Sequence, residues 1–427
     1  MNELEQDLFA HVEALFPICR SITGDGLRQT LQYIRRFLPL QISEVASGTP
    51  VLDWVVPPEW TVRGAAIRTL AGEPVVDFAH NNLHLLQYSQ PVDAIIPRTE
   101  LESHLYSLPE QPDLIPYRTA YYSSTWGFCL PHETRQQLVD PAYRVVIDTT
   151  LKPGSLSYGE LLLPGETDEE VLLSAHSCHP SLANDNLSAI AVAIELARDI
   201  ARRPRRLSYR FLFAPGTIGA ITWLHFNRKT VEHVRHGLVL TCLGDDAPPS
   251  YKRSRRGDAL IDRYAEYILL DEGHGDRLQP FQPTGYDERQ YCSPGFDLPM
   301  GRLTRSPGGT FAEYHTSADN LAFVKPAALA DSMRVLLRMI GMIEHDGYWR
   351  NTAPYGEPQL GPRGLYQQKD LHHNGHRFDQ LTMMWVLNLS DGQHSLLDIA
   401  ARSGSAFDDV AAAAAKLRDA GLLERSD

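Results

Sequence analysis

The chain has 427 residues, too many for one small core and enough for two or three domains. Its apolar fraction of 43% is that of an ordinary globular protein, so a wholly disordered or fibrous chain is excluded. A formal net charge of -13 argues against general affinity for nucleic acid or anionic membrane. No apolar run approaches the ~20 residues of a spanning helix.

Residues 2–16 place apolar and acidic side chains at helical spacing, without the basic start and apolar centre of a signal peptide, so a cytoplasmic location is expected. The PICRSITGDG segment, 17–26, reads as a loop, and 27–38 again reads helical until Pro39 stops it. From 42 to 126 prolines are frequent and apolar runs short. VLDWVVP, AAIRTL, PVVDFA and LHLLQYS read as strands of a small β-rich insert. His80 and His84 flank a segment that reads extended, which disfavours a helical metal pair. Trp54, Trp60, Tyr88, Tyr117, Tyr121, Tyr122 and Trp126 read as core and interface aromatics.

YRVVIDTT and YGELLLPG, within 143–165, are strand-like, and VLLSA follows as a short buried strand. The stretch 172–201, LLSAHSCHPSLANDNLSAIAVAIELARDIA, runs from that strand through a polar loop into an amphipathic helix with Leu187, Ile190, Ala191, Ile194 and Ala197 on one face. The loop carries His176, His179 and Asp185. A polar loop leaving a buried strand and feeding a helix is where open α/β sheets place their chemistry. Two imidazoles and a carboxylate there point to metal, because Zn²⁺ takes neutral His nitrogen and carboxylate oxygen. Asn184 or Asp185 taken singly could instead serve only as the helix N-cap.

The basic run RRPRR, 202–206, reads as a solvated helix C-terminus of favourable sign. LSYRFLFAP, TIGAITWL and HGLVLTCLG then alternate strand, helix and strand, which implies a largely parallel sheet with helices on both faces. A helix is expected over 258–272 and another over 326–344. Between them, 282–316 is loop-rich and polar, the signature of a binding loop. The five cysteines (Cys19, Cys129, Cys178, Cys242, Cys292) are scattered, which fits neither a disulfide framework nor a Cys-type zinc site. Cys178, inside the His loop, reads as a small loop residue rather than a ligand.

Residues 351–379, rich in Gly, Pro, Gln and His, read as a linker. The unit 380–427 reads as three helices with turns at Gly392 and Gly404, a winged-helix-like outline. It carries seven acidic residues (Asp391, Asp398, Asp408, Asp409, Asp419, Glu424, Asp427) and four basic ones (Arg402, Lys416, Arg418, Arg425). A net charge of -3 favours protein or peptide contact, or dimerisation, over DNA. The expected fold class is α/β, with a doubly wound, mostly parallel sheet, a small β-rich insert and a C-terminal winged-helix-like module.

With HSCHPSLANDNLSAI, FLFAPGTIGAI and YHTSADN all in place, the chain resembles a family of M28-like zinc aminopeptidase relatives. Those proteins carry an inserted domain of formerly unknown function and a C-terminal winged helix, and are often found in polysaccharide or natural-product gene neighbourhoods. The resemblance covers nearly the whole chain. It divides the chain into N-terminal helices of the catalytic domain (1–41), the inserted domain (42–126), an aminopeptidase-like catalytic domain (127–350), a linker (351–379) and the winged-helix-like module (380–427). It also implies one or two Zn²⁺ at the carboxyl ends of the sheet. His176 matches the first ligand, Asp185 the bridging one and His315 the last. Asp287 in YDERQ matches a further ligand, with Glu288 the fallback. His179 is an extra ligand, an outer donor or a proton carrier, and Asp319 is placed to orient His315.

One departure stands out. The resemblance implies Pro-Glu-Thr-Ile-Gly after the strand, with the Glu as general base on water or as a metal ligand. Here Gly216 occupies that place, and Glu288 or Glu313 is the candidate replacement. The expected function is a zinc-dependent hydrolase of aminopeptidase or amidohydrolase type acting on a small peptide or aminoacyl amide. The alternative is an inactive relative that keeps the pocket as a peptide-binding or scaffold module. A partner through the C-terminal module and a homo-oligomeric state are also expected, with no nucleic acid or membrane partner.

Overall fold

The computed structural model describes residues 1–365, 371–373 and 376–426. Of the expected linker, 366–370 and 374–375 therefore lie outside the described residues. The chain forms two compact units. The first comprises 1–262 with 272–335, and the second 263–271 with 336–427.

The first unit is built on an eight-stranded sheet. Its strands run in the spatial order Gln41–Ala46, Ser155–Leu163, Ser208–Ala214, Glu170–His176, Val234–Leu240, Met300–Thr304, Ser250–Lys252 and Leu278–Gln279. The four strands from Ser208–Ala214 to Met300–Thr304 are mutually parallel, and antiparallel neighbours flank them. Glu170–His176 is buried at every residue, as a central parallel strand covered on both faces should be. The helix Ala189–Ala201 packs its small apolar face inward, and Glu3–Leu15 covers it, with Glu195 Oε1 2.9 Å from His11 Nε2.

His236 sits 6% exposed in the strand Val234–Leu240, where burial, assisted by the Arg206 and Arg235 charges, lowers its pKa to about 4. The unfolded chain therefore binds a proton that the folded one refuses between its unfolded value of about 6.5 and about 4. Stability from this group is complete above that window and is lost as the pH falls through it, by about 3 kcal/mol in all. Urea titrations from pH 7 to 4 are expected to show a shallower loss in His236→Leu than in the parent chain.

A second, antiparallel sheet has the order Pro74–Asp77, Glu59–Arg68, Ala142–Lys152, Val92–Pro97. Its longest strand, Ala142–Lys152, comes from downstream of residue 126, and Gln41–Ala46, which overlaps the start of the expected insert at 42, joins the large sheet instead. The expected strand LHLLQYS does not form. Asn82–His84 instead forms a short helical turn capped by the Asn81 side chain on Leu83 N, and Tyr88 takes a left-handed φ of 67°. The segment is held by isolated bridges from Leu85 to Phe128 and from Gln87 to Thr119.

The second unit contains the three expected helices, Gln380–Leu389, Leu396–Ser403 and Phe407–Asp419. Local chemistry sets their ends. Asp379 caps the first through Thr382 N, and Ser395 and Asp398 form a capping box on the second. Gly404 closes the second helix at φ 72°. The strands Asp391–Ser395, Tyr348–Asn351 and Leu423–Arg425 form a small sheet beside these helices. Among the described residues no helix is long and apolar enough to cross a membrane.

Candidate metal centre

His176 is the last residue of the central strand, and its backbone pairs with Ala214 of the neighbouring strand. The chain then loops through Ser177–Leu182 and returns toward His176 at Asp185, whose peptide bond to Asn186 is cis. Asp185 is fully buried, and both of its carboxylate oxygens are engaged. Oδ1 lies 2.8 Å from His176 Nε2. Oδ2 lies 3.0 Å from His315 Nε2 and 3.8 Å from His179 Nε2, and it accepts from the Tyr286 hydroxyl at 2.7 Å. Side chains separated by more than a hundred residues thus meet at the carboxyl end of the parallel strands, the usual place for chemistry in such a sheet.

The outer contacts hold this arrangement in register. Asp319 Oδ1 and Oδ2 accept the backbone N–H groups of Asn184 at 2.6 Å and Asp185 at 2.9 Å. Asp319 therefore fixes the backbone that carries Asp185, whereas its expected role was to orient His315. Asn186 turns its Nδ2 toward His176 Nδ1 at 3.1 Å, while its Oδ1 accepts from Cys242 N. The same Nδ2 lies 3.2 Å from the carbonyls of His176 and Leu240, so both of its hydrogens have acceptors whichever tautomer His176 adopts. Tyr286 stacks on His176 at 4.6 Å, Tyr314 stacks on His315 at 3.9 Å, and their hydroxyls are 3.1 Å apart.

The electrostatics suit a cation. Burial alone would raise the Asp185 pKa. The surrounding His179, His176 and His315 imidazoles outweigh it and hold the carboxylate well below its usual range. Burial drives His179 the other way, to about 3, so its ring is neutral and keeps a lone pair at ordinary pH. Among the described residues, donor atoms of His176, His179 and Asp185 lie within 4.8 Å of one another. His315 adds a third imidazole on the same carboxylate. Neutral imidazole nitrogen with carboxylate oxygen is the donor chemistry of zinc, so the residues present fit that ion.

The remaining expected site residues lie around this core. Asp287 is 3% exposed and accepts the Thr217 N–H at 2.6 Å, just ahead of the helix Ile218–Phe226. Burial raises its pKa to about 6, with His176 opposing. Its neighbour Glu288 is fully buried and committed to Lys252 and Arg302 rather than to the imidazoles. Glu313 enters the His315 turn through its backbone, its carbonyl accepting from Thr316. Gly216 N points at Cys178 Sγ at 3.3 Å, and burial pushes that thiol up to about 12, so Cys178 is a protonated neighbour. The sequence pattern does not single out Tyr286 and Tyr314. Their one signal is a position in the polar 282–316 loop beside Asp287 and His315.

The sheet and the helices flanking it have the fold of the M28 zinc aminopeptidases. The chain superposes on a zinc aminopeptidase from Bacillus subtilis with a TM-score of 0.57 at 14% identity, over 79% of this chain and 94% of the other. The chain belongs to the family defined as a domain of unknown function, DUF4910, over residues 9–346, followed by a winged helix-turn-helix over 347–425. A Clostridium acetobutylicum protein, provisionally named for polysaccharide biosynthesis and an aminopeptidase-like domain, is 46% identical over 423 residues, 99% of this chain and 97% of its own. The crystal structure of a provisionally assigned peptidase from the same organism matches with a TM-score of 0.93 at 45% identity, over 99% and 97% of the two chains.

Proposed function

We propose that the protein is a zinc-dependent hydrolase of the aminopeptidase or amidohydrolase type, acting on a small peptide or aminoacyl amide. The observation that carries this reading is the convergence of His176, His179 and His315 on the buried Asp185 at the end of the central strand. These four side chains are the proposed ligands for one or two zinc ions, with Asp287 a further candidate. A bound zinc ion supplies Lewis acidity, polarising a substrate carbonyl and acidifying water.

The protein's own groups do the rest. Asp185 holds the His176 and His315 imidazoles through its two oxygens, with His179 Nε2 3.8 Å from the second. The Tyr286 hydroxyl stays protonated, because burial and the Asp185 charge raise its pKa well above the usual phenol value, so it is a standing hydrogen-bond donor beside the centre. Glu288 is occupied by Lys252 and Arg302. Glu313 stands two positions before His315 and has no ion pair among the described residues, so we propose it as the acid that takes up a proton in place of the side chain Gly216 lacks. The C-terminal module, with its net negative charge, is proposed to contact a protein or peptide rather than DNA.

A second reading, a binding protein with an inactive pocket, is favoured by Gly216 alone. Metal analysis of the purified chain together with turnover of aminoacyl nitroanilides separates the two. Stoichiometric zinc and turnover that His315→Ala abolishes supports the hydrolase. Zinc without turnover on any substrate supports the binder.

A further inference from the structure

Segment 111–121 of the inserted region reaches the turn that carries His315. Gln111 Nε2 donates to the Ala312 carbonyl at 2.8 Å. Ile115 and Ser317 bond reciprocally, Ile115 N to Ser317 Oγ at 3.0 Å and Ser317 N to the Ile115 carbonyl at 2.9 Å. Pro116 bridges Thr316, and Tyr117 N donates to the His315 carbonyl at 2.7 Å. His315 itself has a φ of 56°, a left-handed conformation that costs a non-glycine residue about 1–2 kcal/mol. The contacts from 115–117 hold the turn in that shape.

The same segment places the Tyr117 ring against the imidazoles. Its centroid is 5.1 Å from the His179 ring and 5.0 Å from the His315 ring, edge-on to the latter at 87°. Its hydroxyl is 3.2 Å from that of Tyr121, and the residue is 5% exposed. Tyr286 covers His176 and Tyr314 covers one face of His315, while Asp185 is sealed. The His176 side chain is 1% exposed, His179 13% and His315 30%. The most exposed part of the imidazole cluster is therefore the His179–His315 edge, and the Tyr117 ring packs against that edge.

We infer that Tyr117, supplied by the inserted region, is the specificity-determining residue of the centre, confining it to substrates with a small side chain, glycyl or alanyl, next to the scissile amide. This rests on the hydrolase reading above. A ring packed to 5% exposure against its neighbours cannot yield to a leucyl or phenylalanyl side chain, and close-packed sites reject added volume. Removing the ring opens that space, and a pocket of this kind discriminates by about 10–200-fold per methylene.

The test uses the full, zinc-loaded chain with Gly-, Ala-, Leu- and Phe-p-nitroanilide. The parent protein should prefer the glycyl and alanyl substrates. Tyr117→Ala should shift the preference toward leucyl and phenylalanyl by about tenfold or more, chiefly through KM. Tyr117→Phe should keep the parent preference, because the ring remains. Tyr117→Leu, which preserves apolar bulk, should shift it partway, and it substitutes for the alanine variant if that chain does not fold. A second readout needs no activity: diethylpyrocarbonate modification of His179 and His315 in metal-free protein, read by peptide mass spectrometry, should quicken in Tyr117→Ala or Tyr117→Leu relative to Tyr117→Phe. A parent preference for large side chains, or an unchanged preference with unchanged histidine reactivity, overturns the inference. If the parent protein turns over none of the four substrates, the hydrolase reading fails. The histidine reactivity then decides the wall by itself: faster modification upholds it and no change removes it.

Discussion

Replacing Asp185 with alanine is expected to abolish zinc uptake and to cost about 3–5 kcal/mol of stability, the range for removing one partner from a buried ionic cluster. The carboxylate is fully buried and serves as acceptor for His176, His315 and Tyr286 at 2.8, 3.0 and 2.7 Å. Without it the buried His176 and the partly buried His315 and Tyr286 lose their shared acceptor, and each group left unsatisfied away from water costs about 1–3 kcal/mol. The sum is not realised in full, because the desolvation of the carboxylate is relieved at the same time. Urea denaturation and zinc analysis on the same preparation check both halves. Near-parent stability with zinc retained would show that the imidazoles find other partners and that Asp185 is not the hub.

Gly216→Glu is expected to fold with little loss and to raise turnover, by less than the about 10²–10⁴-fold of a lone general base because, on the proposed reading, Glu313 already takes up the proton in the parent chain. The steric argument is specific to this position. A Cβ built on Gly216 meets only Cys178 Sγ at 3.6 Å and His176 Cβ at 3.8 Å, which is ordinary van der Waals contact, and the backbone is not left-handed. Neighbouring glycines are not so permissive: a Cβ at Gly219 would lie 2.5 Å from Pro215 Cδ, and one at Gly237 would lie 1.7 Å from Met300 Sδ. The glycine at 216 is therefore not required by packing, and the space beside His176 admits the start of a side chain. Steady-state kinetics of the variant on the best parent substrate measure the gain. A rate no higher than the parent's, in a folded zinc-bearing variant, would mean that a carboxylate at 216 is not what limits the reaction.

Much of the centre is legible in the amino-acid order itself. The buried run ending at His176, the helical period that begins near Leu187 and the polar loop between them locate a site because strand, loop and helix have distinct local signatures. The winged-helix outline is legible for the same reason: Asp379, Ser395 and Gly404 are caps whose chemistry is local. The fate of the acids in the 287–288 pair is not. Asp287 and Glu288 are adjacent in sequence, yet one meets the Thr217 N–H and the other meets Lys252 and Arg302. That division depends on which strands lie beside the loop. The aromatic residues around the imidazoles are equally hidden, since a tyrosine in a loop carries no mark of the ring it will stack on.

The amino-acid sequence alone determined the three helices of the C-terminal module, the loop that bears His176, His179 and Asp185, and the alternation of strand and helix around it. These follow from periodicity, capping and side-chain chemistry within a few residues of each other. Only the tertiary structure decided that His315 and Tyr286 share Asp185 with that loop, that Asp319 braces the backbone of Asp185, and that the Tyr117 ring packs against His179 and His315. Those contacts join residues up to about two hundred positions apart, and a hydrogen bond or ring contact at that separation is set by sheet order and burial, which no local pattern encodes.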